Sequence, residues 1–199
     1  MKYVIMADGK GKRWKNFQGI HKWQIRIGDQ TLLERTCDLI RQLDPAASVY
    51  VTSHDTTLQI EGVVRHEPLN NVLEIDRFTA ELIEPGVCFL YGDTFYSETA
   101  LRRIIEEPTD RVLAFGNQRK IFAVKIIDAD FFRHHMNLVR ELYIAGTISE
   151  CIGWEVYHSM NGLPLESREI GPGYVLIEDE THDFNSPDDW MAFQKNHTN

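Results

Sequence analysis

The densest chemistry lies near the start of the chain, where Met6-Ala7-Asp8-Gly9-Lys10-Gly11-Lys12-Arg13 places two glycines and three cations directly after an apolar run. Glycine lets the backbone turn tightly enough to aim N–H groups at anionic oxygens, and Lys and Arg add charge-assisted hydrogen bonds, so such a loop suits phosphate. Two common fingerprints do not fit it. A dinucleotide GxGxxG would need glycine where Trp14 stands, and a Walker loop ending at Gly11-Lys12 would need glycine where Met6 stands. A second feature is Leu90-Tyr91-Gly92-Asp93, an apolar stretch that ends in a carboxylate. Taken alone, an Asp in that place is as ordinary as a turn residue or a helix cap.

The elements that must carry these residues alternate regularly. Residues 3–7 are continuously apolar and read as a buried parallel strand. Thr31-Leu32-Leu33-Glu34 has the spacing of a capping box, and Leu32, Leu33, Thr36, Leu39, Ile40 and Leu43 make one helical face up to Pro45. Strands are expected at 48–52, 63–64, 87–91, 111–115, 121–127 and 174–177, and helices at 73–83, 98–107 and 131–143. A last helix starts at Ser186-Pro187-Asp188-Asp189, with Ser as cap, Pro at the first helical position and acids facing the dipole. Strand and helix in turn imply an α/β chain with a mostly parallel sheet. Ligands of open α/β sheets bind beyond the carboxyl ends of the strands, so Gly9 and Asp93 should reach the same edge.

The 199 residues carry 21 basic and 30 acidic side chains, a net charge of −9, which argues against a protein that coats a nucleic-acid backbone. The 43% hydrophobic content suffices for a core. Cys37, Cys88 and Cys151 are far apart and odd in number, so reduced thiols are expected rather than disulfides or a zinc site. The apolar run in the first 20 residues is too short for a signal peptide or a membrane span, and the expectation is a cytoplasmic protein with no membrane partner. No G-x-S-x-G elbow is present. His134-His135 and His182-Asp183 are sequence neighbours, a spacing that does not make side chains face one another on a helix.

The Gly9-x-Gly11-x-Arg13 pattern resembles the signature loop of the nucleotidyltransferase family, with Asp8 in place of the usual small residue. About ten residues on, that family carries Pro-Lys; here His21-Lys22 stands there, followed by Gln24, Ile25, Ile27, Gly28 and Leu32-Leu33-Glu34-Arg35. Gly92-Asp93 is similar to the family's metal-holding strand end. Asp183-Phe184-Asn185-Ser186-Pro187-Asp188-Asp189 resembles late segments of molybdenum-cofactor guanylyltransferases and sugar-acid cytidylyltransferases.

The resemblance implies a three-layer αβα sandwich with a mostly parallel, Rossmann-like sheet, as one domain over 1–199 with a nucleotide-binding half (1–110) and an acceptor-binding half (111–190). It implies transfer of a nucleoside monophosphate from a nucleoside triphosphate, CTP favoured, to a small phosphorylated acceptor, with release of pyrophosphate. Arg13 would hold the β- and γ-phosphates and Lys22 the α-phosphate; Ala7, Asp8, Gly9, Gly11 and Lys12 would surround them. Asp93, Asn185 and Asp183 would hold Mg²⁺, the one cofactor implied. Ser53, Asn70 and Asn71 are the candidates for reading the base, and Arg119, Lys125 and Trp154, with Lys120 and Tyr157 nearby, for the acceptor. A GTP-using molybdenum-cofactor guanylyltransferase, a glycosyltransferase of the same fold and a noncatalytic nucleotide-binding domain are the alternatives, and a homodimer is left open.

Overall fold

A computed structural model describes residues 1–9, 11, 14, 15 and 17–197. In chain order its elements are β1 (Lys2–Met6), β2 (Arg26–Ile27), β3 (Gln30–Thr31), α1 (Leu32–Leu43), β4 (Ser48–Thr52), β5 (Val64–His66), β6 (Val87–Tyr91) and β7 (Thr94–Phe95). There follow α2 (Glu98–Glu106), β8 (Val112–Gly116), β9 (Ile121–Ile126), α3 (Ala129–Ile144), α4 (Gly153–Asn161), β10 (Tyr174–Leu176), β11 (His182–Asp183) and α5 (Pro187–His197).

Seven strands form one sheet in the order β10-β8-β9-β6-β1-β4-β5. All run the same way except β9, which is antiparallel to both its neighbours. The exception follows from chain length. Only a short turn separates β8 from β9, and a short turn can join antiparallel strands but not parallel ones. Asn117 closes that turn by accepting the N–H groups of Arg119 and Lys120. Gly116 is required beside it, because a Cβ there would lie 1.9 Å from the carbonyl oxygen of Lys120.

Side chains alternate across the sheet and build a core on each side. Tyr3, Ile5, Cys88 and Leu90 meet Leu33, Cys37 and Ile40 of α1 and Leu101 and Ile104 of α2. Val4, Met6, Phe89 and Val124 meet Phe132, Met136 and Val139 of α3 and Trp154 and Tyr157 of α4. The result is the expected αβα sandwich with a mostly parallel, Rossmann-like sheet. The capping box opens α1 as its spacing predicts: Glu34 N–H donates to Thr31 Oγ1 at 3.2 Å and Thr31 N–H to Glu34 Oε2 at 2.7 Å.

The expected helix over 73–83 is instead two 3-10 turns, Glu74–Phe78 and Ala80–Leu82. Asp76, buried and ion-paired at 2.6 Å with Arg140, accepts the N–H groups of both Val72 and Leu73. This satisfies locally the donors that a regular helix would have to accommodate, and the run breaks at Thr79, whose φ of 26° lies in a region that a β-branched residue rarely enters. Helix α4 had no amphipathic signal to announce it, because its residues 153–158 are all buried. The ribbons β2–β3 and β7–β11 are two residues long on each side and too short for periodicity to reveal.

Candidate active site

Strands β1 and β6 pair in parallel with Met6 opposite Tyr91, so the glycine loop and Gly92-Asp93 leave the sheet side by side. The Gly92 N–H donates to the Met6 carbonyl at 3.1 Å. A Cβ at Gly92 would stand 2.8 Å from that oxygen and 3.1 Å from Ala7 Cα, closer than carbon can approach without moving backbone. Glycine before Asp93 is therefore a packing requirement.

Lys22 reaches Asp93 from a different direction. It opens the 3-10 turn Lys22–Gln24, and its Nζ lies 2.9 Å from Asp93 Oδ2. The residue before it, His21, has φ −75°, the value a proline ring would impose, and ψ 155°, an extended value that proline also adopts. The additional N–H that His21 brings is satisfied at 2.8 Å by Gln24 Oε1. The loop leading to it is anchored by buried Trp14, which donates from Nε1 to the Ile20 carbonyl at 2.9 Å and packs edge-on against Phe17.

The β7–β11 ribbon brings in the third motif. Asp183 pairs with Thr94, and the Phe184 N–H donates to the Asp93 carbonyl at 2.7 Å, so the two aspartates are fastened to adjacent strands. Asp183 Oδ2 accepts from Asn185 Nδ2 and lies 3.3 Å from Lys120 Nζ. Asp189 is spent otherwise: with Ser186 it forms a reciprocal cap at the start of α5.

These groups line a cleft of two adjoining chambers, each about 520 Å³, which share Gly11, Lys22, Arg77 and Asp93. Ala7 and Gly9 line the chamber beside the glycine loop. Asn71, Arg119, Trp154, Asp183 and Asn185 line the other. Arg13 and Lys12 lie outside the described residues.

Four sequence candidates line neither chamber. Asp8 accepts the His54 N–H at 2.9 Å, pairs with His54 Nδ1 at 2.7 Å and accepts from Asn71 Nδ2 at 2.6 Å, bracing three loops against one another. Buried Ser53 holds the Asp55 N–H at 3.0 Å, and exposed Asn70 lines neither chamber. Lys125 must be corrected as an acceptor candidate: its ammonium is buried under the end of α2, donating to the carbonyls of Ile104, Ile105 and Glu107. Burial there lowers its pKa.

The donor set at Asp93, Asp183 and Asn185 consists of hard oxygens, and each carboxylate already holds one cation, a lysine ammonium. No cluster of three His, Cys, Asp or Glu able to hold a metal occurs among the described residues. A divalent ion here would have to complete its shell with phosphate oxygens and water, which is the habit of Mg²⁺.

The sequence reading missed Arg77, which falls in the stretch expected to be a plain helix over 73–83. It also missed the Arg168–Glu150 pair (2.7 Å) on the far chamber's wall, where no motif marks either residue. Trp154 stands beside them, 6% exposed, stacked on Tyr174 with ring centroids 5.5 Å apart. Tyr91 lines the same chamber, and burial pushes its phenol up.

No protein-family model and no curated protein matches the sequence. Solved structures do match along nearly its whole length. CTP:phosphocholine cytidylyltransferase from Streptococcus pneumoniae is 10% identical with TM-score 0.57, over 98% of this chain and 97% of that one. 2-C-methyl-D-erythritol 4-phosphate cytidylyltransferase from Thermus thermophilus is 16% identical with TM-score 0.59, over 100% and 98%. A UDP-glucose pyrophosphorylase complexed with UDP-glucose is 10% identical with TM-score 0.63, over 99% and 98%. The chain thus shares the fold of these structures along nearly its whole length.

Proposed function

We propose that this protein is a Mg²⁺-dependent nucleotidyltransferase that moves a nucleoside monophosphate from a nucleoside triphosphate, CTP by preference, to a small phosphorylated acceptor such as a sugar or polyol phosphate. The observation that carries the reading is the Lys22–Asp93 pair at the edge where β1 and β6 end, inside a cleft whose far wall bears a second pair, Lys120–Asp183. Two similar structures bear the names of cytidylyltransferases, which supports CTP as donor.

An oxygen of the acceptor phosphate forms a bond to the donor's α-phosphorus, the bond from that phosphorus to the β-bridging oxygen breaks, and pyrophosphate leaves with the electron pair. No enzyme nucleophile is needed, so the protein's contribution is alignment and charge neutralisation. The glycine loop offers backbone N–H groups to the triphosphate. Lys22 would reach the α-phosphate as its charge redistributes, and the family resemblance assigns the β- and γ-phosphates to Arg13. Asp93, Asp183 and Asn185 would hold Mg²⁺, which supplies neutralisation and a template for the phosphates. Residues 1–110 would serve the donor and 111–190 the acceptor; the chamber beside the glycine loop is lined by residues of the first part alone, the other chamber by residues of both.

The test is the melting temperature of the purified protein with Mg²⁺ and each of CTP, GTP, UTP and ATP in turn. A donor at a hundred times its Kd should raise Tm by roughly 5–10 °C, with CTP giving the largest shift. Absence of a shift with all four, in folded protein, would reject the reading. Binding without any release of pyrophosphate across a panel of sugar and polyol phosphates would favour a noncatalytic nucleotide-binding domain.

A further inference from the structure

Arg77 and Arg140 belong to the same corner of the molecule and show two uses of a guanidinium. Arg140 sits 2.6 Å from the carboxylate of Asp76, whose side chain is 2% exposed, and its role is to hold the 72–76 turn. Arg77 has as its ion-pair partner among the described residues only Glu74, at 3.5 Å and with half its side chain in water. An exposed pair at that distance is worth little and leaves the guanidinium free to exchange partners.

Its position is not that of a surface charge. A Cβ on Gly9 would lie 3.6 Å from Arg77 Nη2, so the guanidinium rests directly against the backbone of the phosphate-type loop. Arg77 lines both chambers, at their junction with Lys22 and Asp93. The backbone that puts it there is unusual: the 74–82 segment gives up a regular helix, and Thr79, buried and strained at φ 26°, follows two residues later. Strain of this kind persists where the surroundings over-determine it and gathers at functional sites.

The chemistry of the junction calls for such a group. Donor and acceptor each bring a phosphate there, and the two anions repel until charge is supplied. Lys22 already faces Asp93 and Lys120 already faces Asp183, while a guanidinium offers a planar fork of donors that can span oxygens of two phosphates at once.

We infer that Arg77 is a phosphate-gripping residue of this site, its guanidinium binding the donor's α-phosphate where the acceptor phosphate approaches. The inference rests on the proposed nucleotidyltransferase reading and assigns that site a residue the sequence pattern does not mark.

Calorimetric titration of the wild-type protein, Arg77→Ala and Arg77→Lys with cytidine, CMP and Mg·CTP tests it. Loss of a charge-assisted bond to the α-phosphate weakens CMP and CTP alike by about 10- to 100-fold and leaves cytidine unchanged, with Arg77→Lys between the two. Equal weakening of all three ligands, cytidine included, would make Arg77 a structural support and overturn the inference. So would unchanged binding of CMP and CTP. If the wild-type protein binds none of the four triphosphates, the underlying reading fails, and this one with it; if it binds another base, the same ladder is run with that nucleoside.

Discussion

The Lys22 ammonium lies 2.9 Å from the Asp93 carboxylate, although 71 positions separate the two residues. One arrives on a 3-10 turn after the glycine loop, the other at the end of a central strand. Such a pair keeps a cation poised beside the place where phosphates would gather. Substituting Lys22 by Ala should reduce nucleotidyl transfer by about 10²–10³-fold, the usual cost of removing one preorganised donor from a developing charge. Steady-state kinetics alongside the thermal melt checks this; turnover within twofold of wild type, in a variant with unchanged Tm, would remove Lys22 from the mechanism.

His21 already has the backbone angles of a proline. The His21→Pro variant should therefore fold and bind nucleotide within about twofold of wild type. A gain of roughly 0.4–1 kcal/mol from the stiffened unfolded chain is offset by about 1 kcal/mol for the lost N–H bond to Gln24. Denaturant melts and nucleotide titration decide, and a loss of stability above about 2 kcal/mol would show that the turn depends on the N–H or the imidazole of His21.

Gly92→Ala should be far more harmful than an ordinary Gly→Ala change. The new methyl group meets the Met6 carbonyl oxygen at 2.8 Å and must push β1 and β6 apart where both deliver site residues. A destabilisation of about 1–3 kcal/mol, typical of overpacking, should accompany weakened triphosphate binding. Equilibrium unfolding in urea measures the first and calorimetry the second.

The thiols should be silent in the native state. Cys37 and Cys88 are fully buried, and burial pushes both up to about 12; Cys151 is also buried and raised. A thiol-reactive disulfide reagent at pH 8 should find no rapidly reacting thiol in the folded protein and three after denaturation. Fast labelling of the native chain would contradict the packing around these three thiols.

Acid should loosen the segment leading to β11. Burial raises the Asp179 carboxyl, but the hydrogen bonds from Ser97 and Thr181 outweigh it and leave the group below the usual carboxylate range. A carboxyl depressed in the folded state contributes stability that is full above its unfolded pKa of about 4 and is lost as pH falls through the folded value. Melting temperatures between pH 6 and 2 should therefore fall less steeply for Asp179→Asn than for wild type. Parallel curves would show that the bond to Ser97 carries no pH-linked stability.

The central strands, the capped helix α1 and the glycine loop were legible in the sequence, because each is written in local signals: a run of apolar residues, a Thr-x-x-Glu spacing, a strand followed by glycines. Gly9 and Asp93 could even be put on one edge, since parallel α/β topology sends strand ends the same way. What the residues at that edge touch was not legible. Asp183 reaches Asp93 through a ribbon two residues long on each side, Lys125 turns inward to cap α2 instead of facing the cleft, and Arg77 lies on Gly9 because a buried Asp76 breaks the helix that the pattern predicts. Local periodicity records which side of an element is apolar; which charges meet across a cleft depends on strand register and on contacts between distant segments, and these exist only once the chain has folded.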